Sequence, residues 1–454
     1  NGPEMTALWL GTALLPSGWA NDVRIEISGS LISGIFVGTP PLPGDERAGV
    51  GLPGLCNVHS HAFQRGMAGL AEHRGPNDDD FWSWREVMYR FLDHLDPDDV
   101  EAIAAMAYVE MLETGYTRVG EFHYLHNDPD GNRYSDPAEM AGRVITASEV
   151  TGIGMTLLPV FYAHSDFGGV PAKHGQRRFL NDLDGFAKLL SACEDNLPAD
   201  GMLGVAPHSL RAVTGDELAA LVDMRKGVPV HIHAAEQLKE VEASLAFSGA
   251  RPVEWLLANA EVNENWCLIH ATHLTDAETA ALAASGAVAG LCPVTEANLG
   301  DGIFPAVRYF EAGGRIATGT DSNILIDPAQ ELRALEYSQR LSHRARNLLA
   351  SDARPSVGRS LFDAAHSGGA QALGAMQGLA VGMSADIVTL DSGNSALYGR
   401  SGDHLLDSWI FAARSGCVDT VWRAGRMLVS NGQHKQREAV SRRYRAVLDR
   451  ILAA

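Results

Sequence analysis

The sequence predicts an α/β fold, a (β/α)8 TIM-like barrel that carries a small composite β-sandwich domain built from both chain ends. Between about residues 95 and 347, short apolar runs alternate with stretches of helical periodicity, which is typical of βα units around a parallel sheet. The two flanks instead hold short β-type runs separated by Gly turns. We therefore expect 51–377 to form the barrel, 5–50 plus 378–434 the composite β domain, and 435–454 a C-terminal helix.

The barrel prediction rests on a set of short runs that are apolar, rich in β-forming residues and bounded by turn signals. These runs are 51–59, 117–124, 155–162, 202–208, 228–234, 266–272, 287–293 and 315–321. The helical patterns between them place acidic residues in the first turn and Gly just past the end, as helix dipoles and C-caps favour. Eight strand and helix pairs predict a closed barrel.

Composition limits the classes of partner. The chain has 454 residues, of which 46% are hydrophobic and 20% charged, so it is neither disordered nor fibrous. Its net charge of -20 disfavours nucleic acids and anionic membranes, and an anionic substrate would need local arginines inside a pocket. No run approaches about 18 apolar residues and no signal peptide is recognised, so no membrane partner is expected. Five dispersed cysteines favour reduced thiols in a cytoplasmic protein.

Histidines collect at the ends of the predicted strands. Of the 17 histidines in the chain, eight lie at such ends, namely His59, His61, His123, His208, His231, His233, His270 and His273. In a parallel barrel, the loops that follow the C-terminal strand ends form the active site. The pattern therefore predicts a site built from imidazoles on this rim of the barrel.

A metal site is the chemistry that this pattern favours. His59 and His61 are two residues apart on an extended segment, which directs both imidazoles to the same side. Such a pair alone is a weak indication. A third imidazole from the fifth strand, at His231 or His233, and the carboxylate of Asp321 after the eighth strand would complete a His3Asp set with room for water, which is typical of catalytic zinc.

The strings LPGLCNVHSH, HIHAAE and TGTDS, together with His270 on the sixth strand, resemble the amidohydrolase superfamily over nearly the whole chain. The pattern His-x-x-Glu selects His233 rather than His231. The resemblance implies the metal ligands His59, His61, His233 and Asp321. It also implies a catalytic group in which His270 lies near the reacting water, Glu236 shuttles protons and Asp321 accepts the water proton.

The expected cofactor is one divalent metal ion per chain. Binuclear relatives bridge two metals with a carboxylated lysine on the third or fourth strand, and the runs MTLLPVFY and MLGVAPH contain no lysine. Zn²⁺ is the expected ion, with Fe²⁺ as the alternative, because this ligand set also accepts other divalent metals.

Longer strings resemble one family within this superfamily, the formimidoylglutamate deiminases. They are HSHAFQRGMAGL, FWSWREVMY, GEFHYLH, HSLRAV, HIHAAEQ and TEANLGDGIFP. The resemblance implies metal-dependent hydrolytic deamination of N-formimidoyl-L-glutamate to N-formyl-L-glutamate and ammonia, as in histidine degradation. It implies the substrate-binding residues Gln64, Arg85, Tyr124, His208 and Arg211. Two guanidiniums could each bind one carboxylate of a glutamyl substrate through paired hydrogen bonds.

Alternative functions stay open from the sequence. Formimino-aspartate would use the same chemistry, and one missing methylene discriminates only by about 1 to 3 kcal/mol. A purine, pyrimidine or triazine ring could be deaminated at the same kind of metal centre. A metal-binding or assembly protein without catalysis is a further alternative, although it would have no use for Glu236. Relatives of this kind lead us to expect a homodimer.

Overall fold

The chain builds two large β assemblies, which the computed structural model describes over residues 5–75 and 79–453. The strands in chain order are β1 (Met5–Leu15), β2 (Gly18–Ser28), β3 (Leu31–Phe36), β4 (Glu46–Pro53), β5 (Leu55–Ser60), β6 (Tyr116–His123), β7 (Gly154–Phe161), β8 (His164–Asp166), β9 (Val170–Pro171), β10 (Met202–Leu203), β11 (Ala206–Pro207), β12 (Val230–Ala234), β13 (Trp266–His270), β14 (Val288–Leu291), β15 (Arg315–Thr318), β16 (Ile387–Leu390), β17 (Val418–Arg423), β18 (Arg426–Ser430) and β19 (Gln433–His434).

Helices follow most of the barrel strands, as the alternating pattern predicts. They are α1 (Phe81–Leu92), α2 (Pro97–Thr114), α3 (Glu139–Thr151), α4 (Leu183–Asn196), α5 (Gly215–Met224), α6 (Leu238–Ser248), α7 (Pro252–Asn259), α8 (Asp276–Ser285), α9 (Pro293–Leu299), α10 (Ala306–Glu311), α11 (Pro328–His343), α12 (Val357–Leu373), α13 (Asp403–Phe411) and α14 (Arg437–Ile451). Several begin with a side-chain cap, as at Thr214 and Thr275, and several end at a left-handed Gly, as at Gly115.

The barrel consists of two parallel arcs. One arc has the order β10-β7-β6-β5, with β11 also paired to β7, and the other has the order β12-β13-β14-β15. Parallel bridges join the arcs at Ser60–Asp321 on one side and Val205–Val230 on the other. Because β10 and β11 together form one interrupted strand, eight strands close the ring, and the predicted barrel is confirmed.

Both chain ends contribute to one β assembly, as the fold prediction requires, and among the described residues this assembly is a single continuous sheet with the order β19-β18-β17-β16-β4-β1-β2-β3. We call it the outer sheet. Strand β4 pairs in parallel with β1 and antiparallel with β16, so the N-terminal and C-terminal segments meet in the middle of the sheet. One face covers a separate apolar core that contains Leu10, Ile25, Ile387 and Trp422. Alternate burial along β2, at Val23, Ile25 and Ile27, is the pattern of a strand with one buried face.

The first predicted strand, 51–59, is divided between the two assemblies. Strand β4 of the outer sheet runs to Pro53, and β5 of the barrel starts at Leu55. The N–H of Gly54 donates to Asp386 O in the outer sheet, at 3.0 Å, while the N–H of Leu55 donates to Gly115 O, at 3.2 Å. A Cβ at Gly54 would overlap the side chain of Thr117. Glycine therefore permits the direct passage from sheet to barrel.

The cysteines agree with the expectation of reduced thiols. Cys56, Cys193, Cys267, Cys292 and Cys417 are all free and buried. No helix among the described residues has the length and apolar character that a bilayer crossing requires.

Candidate active site

Four side chains from distant parts of the chain meet at one end of the barrel. His59 lies on β5, His61 directly follows it, His233 lies on β12, and Asp321 follows β15. One ligand atom from each lies within 4.8 Å of the others, and all four side chains are buried. Asp321 Oδ1 is 3.2 Å from His61 Nε2 and 3.5 Å from His59 Nε2. The structure thus brings together the four residues that the resemblance implies as metal ligands.

The donor chemistry of this cluster fits a divalent metal ion. Phe122 O accepts from His61 Nδ1 at 2.9 Å, and His208 O accepts from His233 Nδ1 at 3.0 Å. These carbonyls fix the protons on Nδ1, so the Nε2 lone pairs of both rings are free for coordination. Nε2 of His233 lies 3.0 Å from Nε2 of His59. A metal ion bound by both nitrogens would stabilise this close approach.

The charge states of the cluster suit the same ion. Burial lowers the pKa of His59 to about 3 and the pKa of His233 well below its usual value, so both imidazoles are neutral, as metal ligands must be. Although burial opposes it, the neighbouring His59 and His61 rings hold the pKa of Asp321 well below its usual value. The set therefore includes two neutral imidazoles, at His59 and His233, and one negative oxygen.

Glu236 and His270 lie beside this cluster. His270 Nε2 is 3.7 Å from Glu236 Oε1 and 3.8 Å from Asp321 Oδ2, and His270 Nδ1 is 3.2 Å from Glu296 Oε1. Burial raises the pKa of Glu236 to about 7. The pKa of His270 lies well above its usual value despite burial, because Glu236, Glu296 and Asp321 face it. A carboxyl group with such a pKa can take up and release a proton near neutral pH.

Left-handed backbone conformations are concentrated at this end of the barrel. Of the ten described non-glycine residues with positive φ, five lie at the strand ends around the site, namely Ala235, His270, Ala271, Asp321 and Asn323. Such conformations are strained, and surrounding contacts must hold them in place. Glu240 holds one of them, because its carboxylate accepts from the N–H groups of Ala235 and Glu236, each at 3.0 Å.

Two guanidiniums face the cavity across from this cluster. Arg85 lies on α1 and Arg211 in the segment after β11, and both line the cavity. The Nε of each is buried without a hydrogen-bond partner, and within the described ranges neither guanidinium has a carboxylate within 4.0 Å. Arg211 is buried and Arg85 half-buried, and a cation withdrawn from water without a counter-charge is costly. The cavity is therefore complementary to a ligand that carries two negative charges.

One indole connects these guanidiniums. The Trp82 ring centroid lies 4.4 Å from Arg85 Cζ, 5.6 Å from Arg211 Cζ and 5.7 Å from Lys239 Nζ. Lys239 Nζ also donates to Asp80 Oδ2 at 3.0 Å, at the N-cap of α1. Cation–π contacts and an ion pair thus hold helix α1 against the loop that carries Arg211 and against helix α6.

The remaining residues implied by the resemblance lie in the same cavity. Gln64 Nε2 donates to Tyr124 Oη at 2.7 Å, which leaves Gln64 Oε1 buried and without a partner. His208 Nδ1 lies 3.0 Å from Ser209 Oγ. The structure places ten of the implied residues on the cavity wall, with His59 directly beside them: His61, Gln64, Arg85, Tyr124, His208, Arg211, His233, Glu236, His270 and Asp321.

The other strand-end histidines point to different places. His231 Nε2 lies 2.8 Å from Ala372 O, away from the cluster, and His273 Nε2 lies 2.8 Å from Asp301 O. Neither ring nitrogen of His123 has a hydrogen-bond partner among the described residues. These positions agree with the interpretation of all three as residues outside the ligand set.

Sequence reasoning missed several residues that shape the site. Glu240 and Glu296 each hold a neighbour in place, and Trp82 lies between the guanidiniums. Tyr162, which directly follows β7, also lines the cavity. Its position as the last residue of the predicted third strand is a signal that could have identified it, because strand ends carry the site in a barrel. The contacts of Trp82 with Arg211 and Lys239 leave no such signal, since these partners are far from Trp82 in sequence.

Comparison with known proteins agrees with this geometry. The family model described as "Amidohydrolase family" matches residues 50–428, and the model "Formimidoylglutamate deiminase HutF, N-terminal domain" matches residues 5–49. A formimidoylglutamate deiminase of Pseudomonas aeruginosa is 50% identical over 99% of this chain and 100% of its own length. A 5-methylthioadenosine/S-adenosylhomocysteine deaminase of Natronomonas pharaonis is 28% identical over 75% of this chain and 72% of its own.

Solved structures agree with these matches. The crystal structure of an amidohydrolase from Brucella melitensis is 53% identical, with a TM-score of 0.95 over 98% of this chain and 100% of that one. An adenosine deaminase from Xanthomonas campestris with bound zinc has the same fold, with 23% identity and a TM-score of 0.80 over 99% of both chains. The chain therefore belongs to the amidohydrolase family, with the formimidoylglutamate deiminases among its relatives.

Proposed function

We propose that this chain hydrolyses N-formimidoyl-L-glutamate to N-formyl-L-glutamate and ammonia. One observation carries the proposal. A buried His3Asp cluster with Glu236 beside it faces two unpaired guanidiniums, Arg85 and Arg211, across one small cavity. The formimidoyl group is the electrophile that such a cluster can hydrolyse. The two carboxylates of the glutamyl part supply negative charges to pair with the two guanidiniums. The Pseudomonas relative with this activity covers the same length of chain.

The substrate lies between the two ends of the cavity in this proposal. Arg85 and Arg211 bind the carboxylates, and each guanidinium can present two parallel N–H donors to one carboxylate. Gln64 Oε1, which has no partner in the cavity wall, accepts from an N–H of the formimidoyl group. Tyr124 and His208 close the wall between the two ends.

The reaction replaces the imino nitrogen by oxygen from water. A divalent ion held by His59, His61, His233 and Asp321 would lower the pKa of water to about 7 and so provide a nucleophile at neutral pH. Asp321 accepts the proton that the attacking water gives up. His270 stabilises the oxygen in the tetrahedral intermediate through its Nε2–H. Glu236 carries two protons to the imino-derived nitrogen, one passed on from Asp321 and one from the hydroxyl of the intermediate. The nitrogen then departs as ammonia when the C–N bond breaks.

Zinc is the metal that we propose, since three imidazoles and one carboxylate with space for water form a typical catalytic zinc site. Iron would suit the same ligands.

A homodimer and a cytoplasmic location stay predictions from the sequence. Light scattering of the purified chain measures the first, and a mass of one chain would contradict it.

Ammonia release from N-formimidoyl-L-glutamate tests the proposal. We expect activity in the zinc-loaded enzyme, loss of activity after removal of the metal by a chelator, and recovery when zinc is added. N-formimidoyl-L-aspartate and a panel of purines, pyrimidines and triazines serve as rival substrates. Higher kcat/KM on any rival than on N-formimidoyl-L-glutamate would overturn the substrate assignment. A metal-loaded chain that releases ammonia from none of them would contradict the catalytic function.

A further inference from the structure

The geometry points to a third anion-binding group in the cavity besides the two arginines. We propose that the Tyr162 hydroxyl donates a hydrogen bond to a substrate carboxylate and so contributes to the preference for a dicarboxylate. This inference rests on the proposed function and adds a residue to it that the sequence resemblance did not imply.

Tyr162 occupies the appropriate place. It directly follows β7, its side chain is 6% exposed, and it lines the cavity together with Arg85 and Arg211. Burial raises the pKa of the Tyr162 hydroxyl, and the guanidiniums of Arg211 and Arg85 oppose that rise. The ring packs edge-on against His208, with 4.7 Å between the ring centroids. Tyr162 therefore lines the same cavity as the two guanidiniums that would bind a carboxylate.

The direction of the hydroxyl proton follows from Gln176. The amide oxygen of Gln176 accepts from the Lys173 N–H at 2.8 Å, so its NH2 group is the side that faces Tyr162. Gln176 Nε2 donates to Tyr162 Oη at 2.7 Å. Gln176 is itself 1% exposed and held in place. Because the Tyr162 oxygen accepts this bond, its own proton is available for another acceptor.

No described residue provides that acceptor within hydrogen-bond distance. A buried hydroxyl donor without an acceptor is unfavourable, and an ionised acceptor is the strongest partner it can find. The neighbouring guanidiniums offer donors only. A substrate carboxylate bound by Arg85 or Arg211 would satisfy the Tyr162 proton, and a neutral donor adds no further positive charge to a cavity that already holds two cations.

The first test is Tyr162→Phe in the zinc-loaded enzyme. Loss of one hydrogen bond to a charged group predicts a rise in KM for N-formimidoyl-L-glutamate of about 10- to 100-fold. The kcat should change by less than about 3-fold, because Tyr162 touches neither Glu236 nor the ligand cluster in this proposal. Gln176→Met, which removes the donor that orients Tyr162, should raise KM in the same direction by a smaller factor. An unchanged KM in Tyr162→Phe would overturn the proposal.

Substrate analogues separate a binding role from a packing role. N-formimidoyl-4-aminobutyrate lacks the α-carboxylate, and N-formimidoyl-L-norvaline lacks the γ-carboxylate. The ratio of KM between Tyr162→Phe and the unmodified enzyme should fall to about 1 for the analogue that lacks the carboxylate bound by Tyr162, and persist for the other. Equal ratios for all three substrates would indicate a packing role and contradict the proposal. Tyr337→Phe, at an exposed tyrosine on α11, is the matched control and should leave KM unchanged.

Binding of glutarate distinguishes failure of this inference from failure of the proposed function. Glutarate carries two carboxylates and no formimidoyl group, so calorimetry reports on the anion-binding end without catalysis. We expect Tyr162→Phe to weaken glutarate binding about 10-fold or more, whether or not N-formimidoyl-L-glutamate is the substrate. Ammonia release by the unmodified enzyme with equal glutarate affinity in Tyr162→Phe would overturn the inference and leave the proposed function intact.

Discussion

The two ends of the cavity are built differently. At the cluster end, His59 and His233 lie on barrel strands, their side chains are buried, and parallel bridges such as Ser209–His233 fix the register of the strands. At the guanidinium end, Arg85 belongs to helix α1, which is not part of the strand ring and packs on the core with one face, including Phe91 and Leu92. The difference suggests that a rigid strand framework holds the chemistry, while an added helix sets the substrate preference.

The largest expected effect belongs to the cluster end. Glu236→Gln keeps the shape of the side chain but removes the proton carrier, so kcat for ammonia release should fall by about 10²- to 10⁴-fold. The KM and the zinc content should stay near those of the unmodified enzyme, since Glu236 is neither a proposed ligand nor a carboxylate-binding residue. Steady-state kinetics and metal analysis check this result. A fall in zinc content would show that Glu236 also contributes to metal binding.

The guanidinium end should respond in KM. Arg211→Met and Arg85→Met each remove a charge-assisted contact, so we expect KM for N-formimidoyl-L-glutamate to rise by about 10- to 150-fold. In each variant kcat at saturating substrate should change far less. Arg443→Met, at a surface arginine of α14 that pairs with Glu101, is the control and should behave as the unmodified enzyme. If kcat falls in both variants by the same factor by which KM rises, the two ends of the cavity do not have separate roles in binding and catalysis.

Glu296 lies at the cluster end and tests whether the orientation of His270 affects kcat. It holds His270 Nδ1 at 3.2 Å and also accepts from the Cys292 N–H at 2.8 Å. Glu296→Gln should disturb the orientation and charge of His270 and reduce kcat by about 10- to 100-fold, as for other residues that orient active-site histidines. Steady-state kinetics measures the effect. A change in KM alone would place Glu296 with the substrate-binding residues instead.

The smallest effect is expected at Trp82, which acts through the guanidiniums. Trp82→Leu keeps an apolar side chain but removes the aromatic face, so KM should rise by about 3- to 30-fold. Trp82→Phe, which keeps an aromatic ring, should show a smaller rise and provides the matched comparison. Kinetics on N-formimidoyl-L-glutamate measures both. Equal effects of the two substitutions would mean that Trp82 acts by packing rather than by its interaction with cations.

Much of the barrel could be predicted from the sequence because the signal is local. Each strand is a short apolar run, and the chain order of the runs sets their order around the ring. The fourth run, 202–208, is an exception, since it is broken between β10 and β11. A Cβ at Gly204 would come within 2.7 Å of Pro229 O. The local sequence pattern does not predict this close approach.

The site was partly predictable for a related reason. His59, His61, His233 and Asp321 stand at strand ends, so their meeting follows once the barrel is assumed. The choice between His231 and His233 needed the resemblance. The two residues are two positions apart on one strand, and both lie near the rim of the barrel. Tyr162 also stands at a strand end and could have been found in this way, but Glu240 and Trp82 could not. Their roles depend on loops and on a helix whose approach to the barrel is decided by tertiary contacts.

The single residue between the outer sheet and the barrel has a consequence for the whole enzyme. Gly54 joins β4 to β5, and β5 carries His59 a few residues further on. Any shift of the outer sheet would therefore displace the strand that bears the first imidazole, and the backbone bonds on either side of Gly54 resist such a shift. The sheet formed by the two chain ends is thus a mechanical support for the strand that carries His59.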